Sequence, residues 1–258
     1  MPKIELREVT KTFESPIAHR SVVALKEINL SVDEGKFLTI LGASGCGKST
    51  LLEIVAGLQL PTSGEVFVNG IKVLEPDPKR NMVFQENAVF PWRTVLRNVE
   101  LGLELQGQHA AQRRKTARKY LAMVKLEGFE NFYPHQLSGG MKQRVGLARA
   151  LATNPEILLM DEPFGAVDAI ARMKLQDDLL AIWQQERKTV LFVTHDIHEA
   201  VYLGDRVAVM QPGPGQIIDV LPISLDRPRS RASESIAKLE EHILNLMSLP
   251  LKDDTTSK

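Results

Sequence analysis

A glycine-rich loop between a strand-like and a helix-like segment constrains the fold of this chain more than any other part of its sequence. Residues 37–41 are almost fully apolar, as a buried strand is, and they run directly into Gly-Ala-Ser-Gly-Cys-Gly-Lys-Ser at residues 42–49. A helical pattern follows from Lys48 to about Ala56, and Gly57 is typical of a helix end. Strand, loop and helix in this order predict a phosphate-binding loop of the Walker A type within an α/β fold.

The residue types in this loop suit the binding of a nucleoside triphosphate. Its glycines let the backbone wrap closely around phosphate oxygens, and the helix N-terminus adds about half a positive charge directed the same way. Lys48 is predicted to neutralise the β- and γ-phosphates, and Ser49 to ligate Mg²⁺. Cys46 is interpreted as a small residue that fits the loop rather than as a reactive thiol. The loop residues predicted to bind ATP are Gly42, Ser44, Gly45, Cys46, Gly47, Lys48, Ser49 and Thr50.

A second apolar segment ends in two carboxylates. Residues 157–160 read as a buried strand, and Asp161 and Glu162 follow directly, which is the Walker B form. Because ligands of open α/β sheets bind at the carboxyl ends of the strands, we expect Asp161 near the phosphates, where it would hold Mg²⁺ through water. Glu162 is expected to orient and polarise the water that attacks the γ-phosphate.

The first part of the chain carries strand patterns. Residues 3–9 and 24–32 alternate apolar and polar residues, and residues 64–73 form a hairpin pattern with Asn69-Gly70 as its turn. These segments predict a small antiparallel β-subdomain beside the core.

The later part of the chain first has a helical pattern and then strand patterns that alternate with helical ones. Residues 95–151 have a helical pattern, in which Ser138 is placed to cap the helix that carries residues 141–151. After residue 155 strands and helices alternate, which implies a parallel sheet with helices on its faces.

These patterns define an α/β fold class and a division of the chain. We expect a P-loop NTPase core, with a mostly parallel sheet and flanking helices, joined by the antiparallel β-subdomain and an α-helical subdomain. The core unit is placed at residues 1–230, with the helical subdomain inserted at about 88–152. Residues 231–258 are expected to form one amphipathic helix and a polar, disordered tail.

Composition narrows the class of protein. Lys+Arg and Asp+Glu are both 32, so the balanced charge argues against a general nucleic-acid binder. The single cysteine rules out an internal disulfide and fits a reducing compartment. The first residues lack the apolar core of a signal peptide, and no apolar run approaches the ~20 residues that cross a bilayer. We therefore expect a chain that does not span a membrane by itself.

Six motifs in this order resemble the ATP-binding-cassette family, the ATPase subunits of ABC transporters. The resemblance covers residues 3 to 230, and its motifs are the Walker A loop, Gln85, the Leu-Ser-Gly-Gly signature at residues 137–143, Asp161-Glu162, Asp168 and His195. The resemblance implies an ATPase that uses ATP and Mg²⁺.

The resemblance also implies roles for individual residues. Gln85 would approach Mg²⁺ and the attacking water, and His195 would contact the γ-phosphate, so that Glu162, His195 and Gln85 form the expected catalytic set. Ser49, Gln85 and Asp161 form the expected metal set. Phe13 would stack on adenine, and Asp168 would reach across to a partner subunit.

The signature implies a shared site. Ser138 and the backbone of Gly139 and Gly140, at a helix N-terminus, would form a second anion-binding surface, with Gln143 beside them. In the family two such domains meet head-to-tail, and each signature closes on the ATP held by the other domain's P-loop. A second ATPase subunit, identical or related, is therefore an expected partner.

A narrower resemblance concerns the importer branch that serves nitrate, sulfonate, taurine and bicarbonate. It rests on Phe84-Gln85, on Val89-Phe90-Pro91-Trp92 and on residues 212–229. It implies a permease partner, an indirect periplasmic or lipid-anchored solute-binding protein, no nucleic acid, and a peripheral place on the cytoplasmic face of the inner membrane. Phe90 and Trp92 would contact a short helix of the permease, although packing inside the helical subdomain is an equal alternative.

Two rival functions are open. One is a cytosolic ATPase of an assembly machine, such as iron–sulfur cluster assembly, which would have the same cassette without a permease. The other is a non-catalytic regulatory module, which the presence of both Glu162 and His195 disfavours.

Overall fold

The strands and helices of the chain are given by a computed structural model that describes residues 1–15, 20–85, 88–165 and 167–248. The strands are β1 (Ile4–Ser15), β2 (Arg20–Val32), β3 (Phe37–Gly42), β4 (Ser63–Val68), β5 (Ile71–Lys72), β6 (Arg80–Val83), β7 (Ile157–Asp161), β8 (Thr189–Thr194), β9 (Arg206–Gln211) and β10 (Gln216–Pro222). The helices are α1 (Lys48–Ala56), α2 (Val95–Leu105), α3 (Ala110–Met123), α4 (Gly139–Ala152), α5 (Ala169–Glu186), α6 (Ile197–Leu203) and α7 (Glu234–Ser248).

The central sheet has the strand order β10-β9-β3-β8-β7-β6. The pairs from β9 to β6 are all parallel, and only the edge strand β10 runs antiparallel to its neighbour. Every residue of β3, β7 and β8 is buried, because helices or the second sheet cover both faces of these strands. The continuous apolar runs in the sequence follow from this double burial.

The register of the parallel strands aligns their carboxyl ends. Leu41 of β3 lies opposite Thr194 of β8, and Asp161 of β7 lies opposite Val193 of β8. The loops that follow these three strands therefore leave the sheet side by side. This edge of the sheet positions the candidate site.

A second, antiparallel sheet has the order β2-β1-β4-β5 and packs over α1. Its inward residues, such as Ile4 and Ile28, share a core with Leu51 and Leu52 of α1 and Ile40 of β3. On the opposite face of the central sheet, the other helices form a separate core. The fold class predicted from the sequence, a P-loop NTPase core with an antiparallel β-subdomain and a helical part, is confirmed.

Several elements differ from the sequence predictions. The strand β1 continues to Ser15, because register shifts after Leu6 bend it and break the apolar alternation. The short elements β10 and α6 were not predicted; α6 has seven residues, too few for a helical period to show. The predicted cap of α4 is confirmed, since this helix begins at Gly139 directly after its N-cap Ser138.

The amphipathic helix expected near the C-terminus is confirmed as α7, with Ile236 and Ile243 buried against the core. The expected disordered tail at residues 252–258 lies outside the described residues. The division into a unit at 1–230 with a helical insertion at 88–152 stays a prediction. None of the helices in the described part of the chain has both the length and the apolar character that crossing a membrane requires.

We predict that Gly57→Ala destabilises the fold more than Gly107→Ala. Both glycines have a left-handed backbone, with φ of 81° and 74°. At Gly57, which ends α1, an added Cβ would also overlap the carbonyl oxygen of Glu75, whereas at Gly107 it would meet open space. Gly107→Ala should therefore cost only the ~1–2 kcal/mol of the left-handed conformation, and Gly57→Ala clearly more. Urea unfolding of the two variants checks this; equal midpoints would contradict it.

Candidate active site

The glycine-rich loop connects the end of β3 to the start of α1. Gly45 and Gly47 have φ of 80° and 95°, a conformation that L side chains rarely adopt. Position 47 also has no room for a side chain, since a Cβ there would lie 2.7 Å from Cδ2 of Leu25 on β2. α1 has no side-chain cap, so the N–H groups of its first turn are available to an anion.

Behind this loop, Gly215 brings separate segments of the backbone into contact. Gly215, just before β10, donates its N–H to the carbonyl of Ala24 and accepts from the N–H of Lys26, both at 3.0 Å. A Cβ on Gly215 would collide with the carbonyl oxygen of Cys46. The chain before β10, the strand β2 and the loop are therefore in backbone contact. The Pro-Gly-Pro-Gly sequence at residues 212–215 is typical of a loop, but it gives no sign of this packing.

The ammonium group of Lys48 is held inside the loop. The side chain is 3% exposed, and Nζ donates to the carbonyl oxygens of Gly42 at 2.8 Å and Ala43 at 3.0 Å. Nζ also lies 3.5 Å from Oε1 of Glu162. A buried cation that is surrounded by acceptors of this kind is suited to exchange them for phosphate oxygens.

Glu162 links Lys48 to His195. Its Oε2 lies 2.7 Å from Nδ1 of His195, whose side chain is 58% exposed. Its backbone has φ of 40°, a left-handed conformation that costs of order 1–3 kcal/mol in a non-glycine residue. The backbone N–H of Glu162 donates to the carbonyl of Val193 on β8, which fixes this turn against the strand that precedes His195.

Asp161 has the environment of a cation ligand. Burial raises the pKa of Asp161 above its usual value, and a hydrogen bond from the Ser49 hydroxyl acts in the opposite direction. Its Oδ1 is buried without a hydrogen-bond partner among the described residues. Oxygen ligands and an unused buried lone pair fit Mg²⁺, which is commonly held by one or two protein oxygens together with phosphates and water.

Two further residues predicted for the nucleotide site, Gln85 and Phe13, are exposed. Gln85 is exposed, and its amide faces Gly165, where an added Cβ would lie 3.9 Å from Nε2 of Gln85. Phe13 is 40% exposed on β1, with Nζ of Lys11 5.2 Å from its ring centroid. An exposed aromatic face next to a cation is compatible with base stacking. Described contacts do not join either residue directly to Asp161 or Lys48.

The signature residues separate into exposed and buried ones. Ser138 and Gly139 are exposed and Gly140 half-buried at the start of α4, where Ser138 Oγ accepts from the N–H of Met141 at 3.3 Å. Gln143 is 7% exposed, so it does not lie with them on the surface of this protomer. Gln143 belongs to the buried side of α4 and not to the exposed surface on which the sequence placed it beside Gly139 and Gly140.

Asp168 also has a local role that the sequence did not reveal. Its exposed carboxylate accepts from the N–H of Ala171 at 3.0 Å and caps α5. The predicted reach to a partner would compete with this cap.

Glu199, a buried carboxylate four residues after His195, was not predicted from the sequence. The Asp-x-x-Glu spacing from Asp196 to Glu199 is the signal of a helix start that could have identified it.

The fold and this arrangement define the class as a P-loop NTPase. The chain matches the family model described as ABC transporter over residues 25–165. It is 52% identical over 245 residues to an uncharacterised ABC transporter ATP-binding protein of Methanocaldococcus jannaschii, which covers 95% of this chain and 91% of that protein. It is 43% identical over 241 residues to the aliphatic sulfonates import ATP-binding protein SsuB of Bacillus cereus, covering 93% and 94%.

Solved structures agree with these relatives. A structure described as a dimeric bacterial ABC transporter cassette is 38% identical, has a TM-score of 0.76, and covers 86% of this chain and 100% of its own. A second structure, described as the dimeric post-hydrolysis state of that type of cassette with ADP and Pi, matches equally well. The chain therefore belongs to the ABC transporter family and is an ATPase subunit of that family.

We predict that Cys46 is unreactive in the folded protein. The thiol is 1% exposed, and burial raises its pKa, which lowers the thiolate fraction at any given pH. Iodoacetamide at pH 8 should label native protein far more slowly than urea-unfolded protein, as measured by mass spectrometry. Since Cys46 is the single cysteine of the chain, the labelling rate of the unfolded protein is the control for the same thiol when it is accessible. Equal labelling rates would show that the loop exposes the thiol.

Proposed function

We propose that this chain is the ATP-hydrolysing subunit of an importer for an aliphatic sulfonate or a related small anion. The observation that carries the catalytic part is the convergence of Lys48, Glu162 and His195 where β3, β7 and β8 end. The similarity to SsuB over nearly the whole of both chains supports the sulfonate assignment. The sequence segments at Phe90, Trp92 and residues 212–229 support the same importer branch.

ATP binding would exchange the present partners of Lys48. The ammonium group now bonds two loop carbonyls and lies beside Glu162. Phosphate oxygens carry more negative charge than carbonyls, so the β- and γ-phosphates would attract Lys48 more strongly. The loop glycines and the uncapped start of α1 would bind the same phosphates through backbone N–H groups.

Glu162 would then act on the attacking water. Once Lys48 turns to phosphate, the Glu162 carboxylate is free to accept a hydrogen bond from water and to polarise it for in-line attack. His195, 2.7 Å from this carboxylate, would hold its orientation and contact the γ-phosphate. Ser49 and Asp161 would hold Mg²⁺, which supplies charge neutralisation on the phosphates. Gln85, beside the segment after Glu162, would report the occupancy of the site to the helical part of the chain.

A second protomer would complete the site. Ser138 and Gly139 are exposed at the N-terminus of α4, where an anion is favoured. We propose that they close on the γ-phosphate of ATP bound to the partner subunit, with Asp168 near the same interface. ATP would then join two protomers, and hydrolysis would release them. This gives closed and open states with different affinities for nucleotide.

The contact with a permease is proposed at Trp92. Its side chain is 71% exposed, whereas Phe90 is half-buried against it, with ring centroids 5.4 Å apart. The buried amide of Asn98 accepts from the N–H of Phe90 at 2.8 Å and donates to the carbonyls of Phe90 and Arg93. Phe90 thus packs inside, and Trp92 projects from a rigid loop, as an interface anchor does. The importer would place this subunit at the cytoplasmic face of the inner membrane.

We predict that Glu162→Gln binds ATP but hydrolyses it roughly 10²–10⁴-fold more slowly, the usual size of a general-base contribution. The amide has nearly the shape of the carboxylate but cannot polarise water. Affinity for ATP should be kept or increased, because Lys48 loses a competing anion 3.5 Å away. Single-turnover hydrolysis and a nucleotide titration measure the two effects.

The matched control is Glu75→Gln, an exposed carboxylate near the end of the hairpin. It should leave turnover unchanged. Near-normal hydrolysis by Glu162→Gln would remove Glu162 from the catalytic role. Light scattering of Glu162→Gln with ATP should also detect a dimer, since the joined state is no longer released by hydrolysis.

We predict that the wild-type chain, co-expressed with a multi-span permease of the sulfonate importer type, co-purifies with it from detergent extract. Trp92→Ala should weaken this association by about 2 kcal/mol or more, the usual size for a central interface aromatic. Leu105→Ala, at an equally exposed position on α2, is the control that should retain it.

The solute is tested on the same assembled complex. Turnover of ATP should rise when the cognate solute-binding protein is supplied with an aliphatic sulfonate, and not with the binding protein alone. Recovery of soluble assembly factors instead of a multi-span protein would favour the cytosolic rival.

A further inference from the structure

A buried glutamate is hydrogen-bonded to the residues on either side of His195. Glu199, in the first turn of α6, is 4% exposed, and its side chain accepts a hydrogen bond from the hydroxyl of Thr194. The same hydroxyl accepts from the N–H of Asp196 at 3.0 Å, and Asp196 Oδ1 accepts from the N–H of Glu199 at 2.9 Å. Both chain neighbours of His195 are therefore tied to Glu199.

Gln176 of α5 orients this carboxylate. Its side chain is 3% exposed, and Nε2 donates to Oε1 of Glu199 at 2.9 Å. Its Oε1 accepts from Nη1 of Arg231 at 2.6 Å. Because a guanidinium can only donate, the amide oxygen must face Arg231, and the amide NH₂ must face Glu199. Arg231 thus fixes which way the amide of Gln176 points.

Arg231 fastens the two helices on either side of this contact. It belongs to the segment between β10 and α7, and its Nη2 donates to Asp177 Oδ1 at 2.6 Å and to the carbonyl of Met173 at 3.0 Å, both on α5. Its guanidinium lies 3.7 Å from the ring centroid of Tyr202 on α6. A residue of the C-terminal segment therefore holds α5 and α6 together.

Packing alone does not account for this network. Taking a carboxylate out of water is costly, and an apolar side chain at position 199 would fill the space without that cost. Burial does raise the pKa of Glu199, against the effect of its two hydrogen-bond donors. A directional hydrogen bond, unlike an apolar contact, fixes the geometry of the turn that carries His195.

We propose that Gln176, oriented by Arg231, is a positioning residue for His195. It acts through Glu199 and Thr194, so the place of the imidazole beside Glu162 depends on α5. Since α5 begins directly after Asp168, the same bonds connect the proposed dimer-facing turn to His195. This inference rests on the proposed role of His195 at the γ-phosphate.

The test compares Gln176→Leu with Gln185→Leu, an exposed glutamine of the same helix. Loss of the hydrogen bond should lower kcat for ATP roughly ten-fold, since small misplacements of a catalytic group cost this much or more. The KM for ATP should stay within about twofold, because the P-loop is untouched. Gln185→Leu should match the wild type.

A second measurement separates positioning from general stability. In a His195→Ala background, Gln176→Leu should reduce the residual turnover no further, because the group that it positions is absent. A stability effect would lower turnover in both backgrounds. Turnover is expressed per ATP-binding site, so that unfolded protein does not count. If Gln176→Leu does not fold, Arg231→Ala provides the same test. The Arg231 side chain is 21% exposed, and this substitution changes no residue of α5.

The outcomes distinguish this inference from the proposed function. Unchanged kcat in Gln176→Leu and Arg231→Ala, together with strongly reduced turnover in His195→Ala, would overturn the positioning role and leave the proposed function standing. Full activity of His195→Ala would overturn the role of His195 itself. A loss of kcat that is equal in both backgrounds would assign Gln176 to stability alone.

Discussion

The parallel pairing of β7, β8 and β3 is the constraint on which the rest of the structure depends. All residues of these strands are buried, so a shift in register would expose apolar side chains or separate paired backbone groups. This fixed register makes the P-loop, Glu162 and His195 neighbours, although more than a hundred residues separate the first from the last. The helices α2, α3 and α4 can be accommodated between β6 and β7 because they need not alter this edge.

Within the site, one carboxylate has two partners of different kinds. Glu162 lies between a buried ammonium and a largely exposed imidazole, on a backbone with φ of 40°. The strained turn fixes where the carboxylate leaves the strand, while its ionic partner Lys48 is held by loop carbonyls that phosphate would displace. The backbone of the site is thus held in place, whereas Lys48 can exchange its present partners for phosphate oxygens. That combination suits a reaction in which the substrate itself carries most of the charge.

Much of this arrangement could be predicted from the sequence. The double-sided burial of β3 and β7 gives apolar runs, and Gly47, Lys48, Asp161 and Glu162 follow them at positions that parallel topology makes adjacent. Contacts set by tertiary packing could not be predicted in this way. Two of these contacts join residues that are far apart in the chain: the hydrogen bond from Gln176 to Glu199 and the close approach of Gly215 to Cys46. The burial of Gln143 likewise depends on what packs around α4. In the sequence alone, these residues look like ordinary polar or turn residues. Asp168 shows the intermediate case, in which the loop was recognised but its capping of α5 was not.

The contact of Gly215 with Ala24 and Cys46 has a further consequence. The rear of the nucleotide loop is made of main chain contributed by three distant segments, so its shape depends very little on side-chain identity. Residues on the outer surface can then change as the cassette is matched to different membrane proteins, while the cradle keeps its dimensions. The wall itself requires only that residue 215 have no side chain.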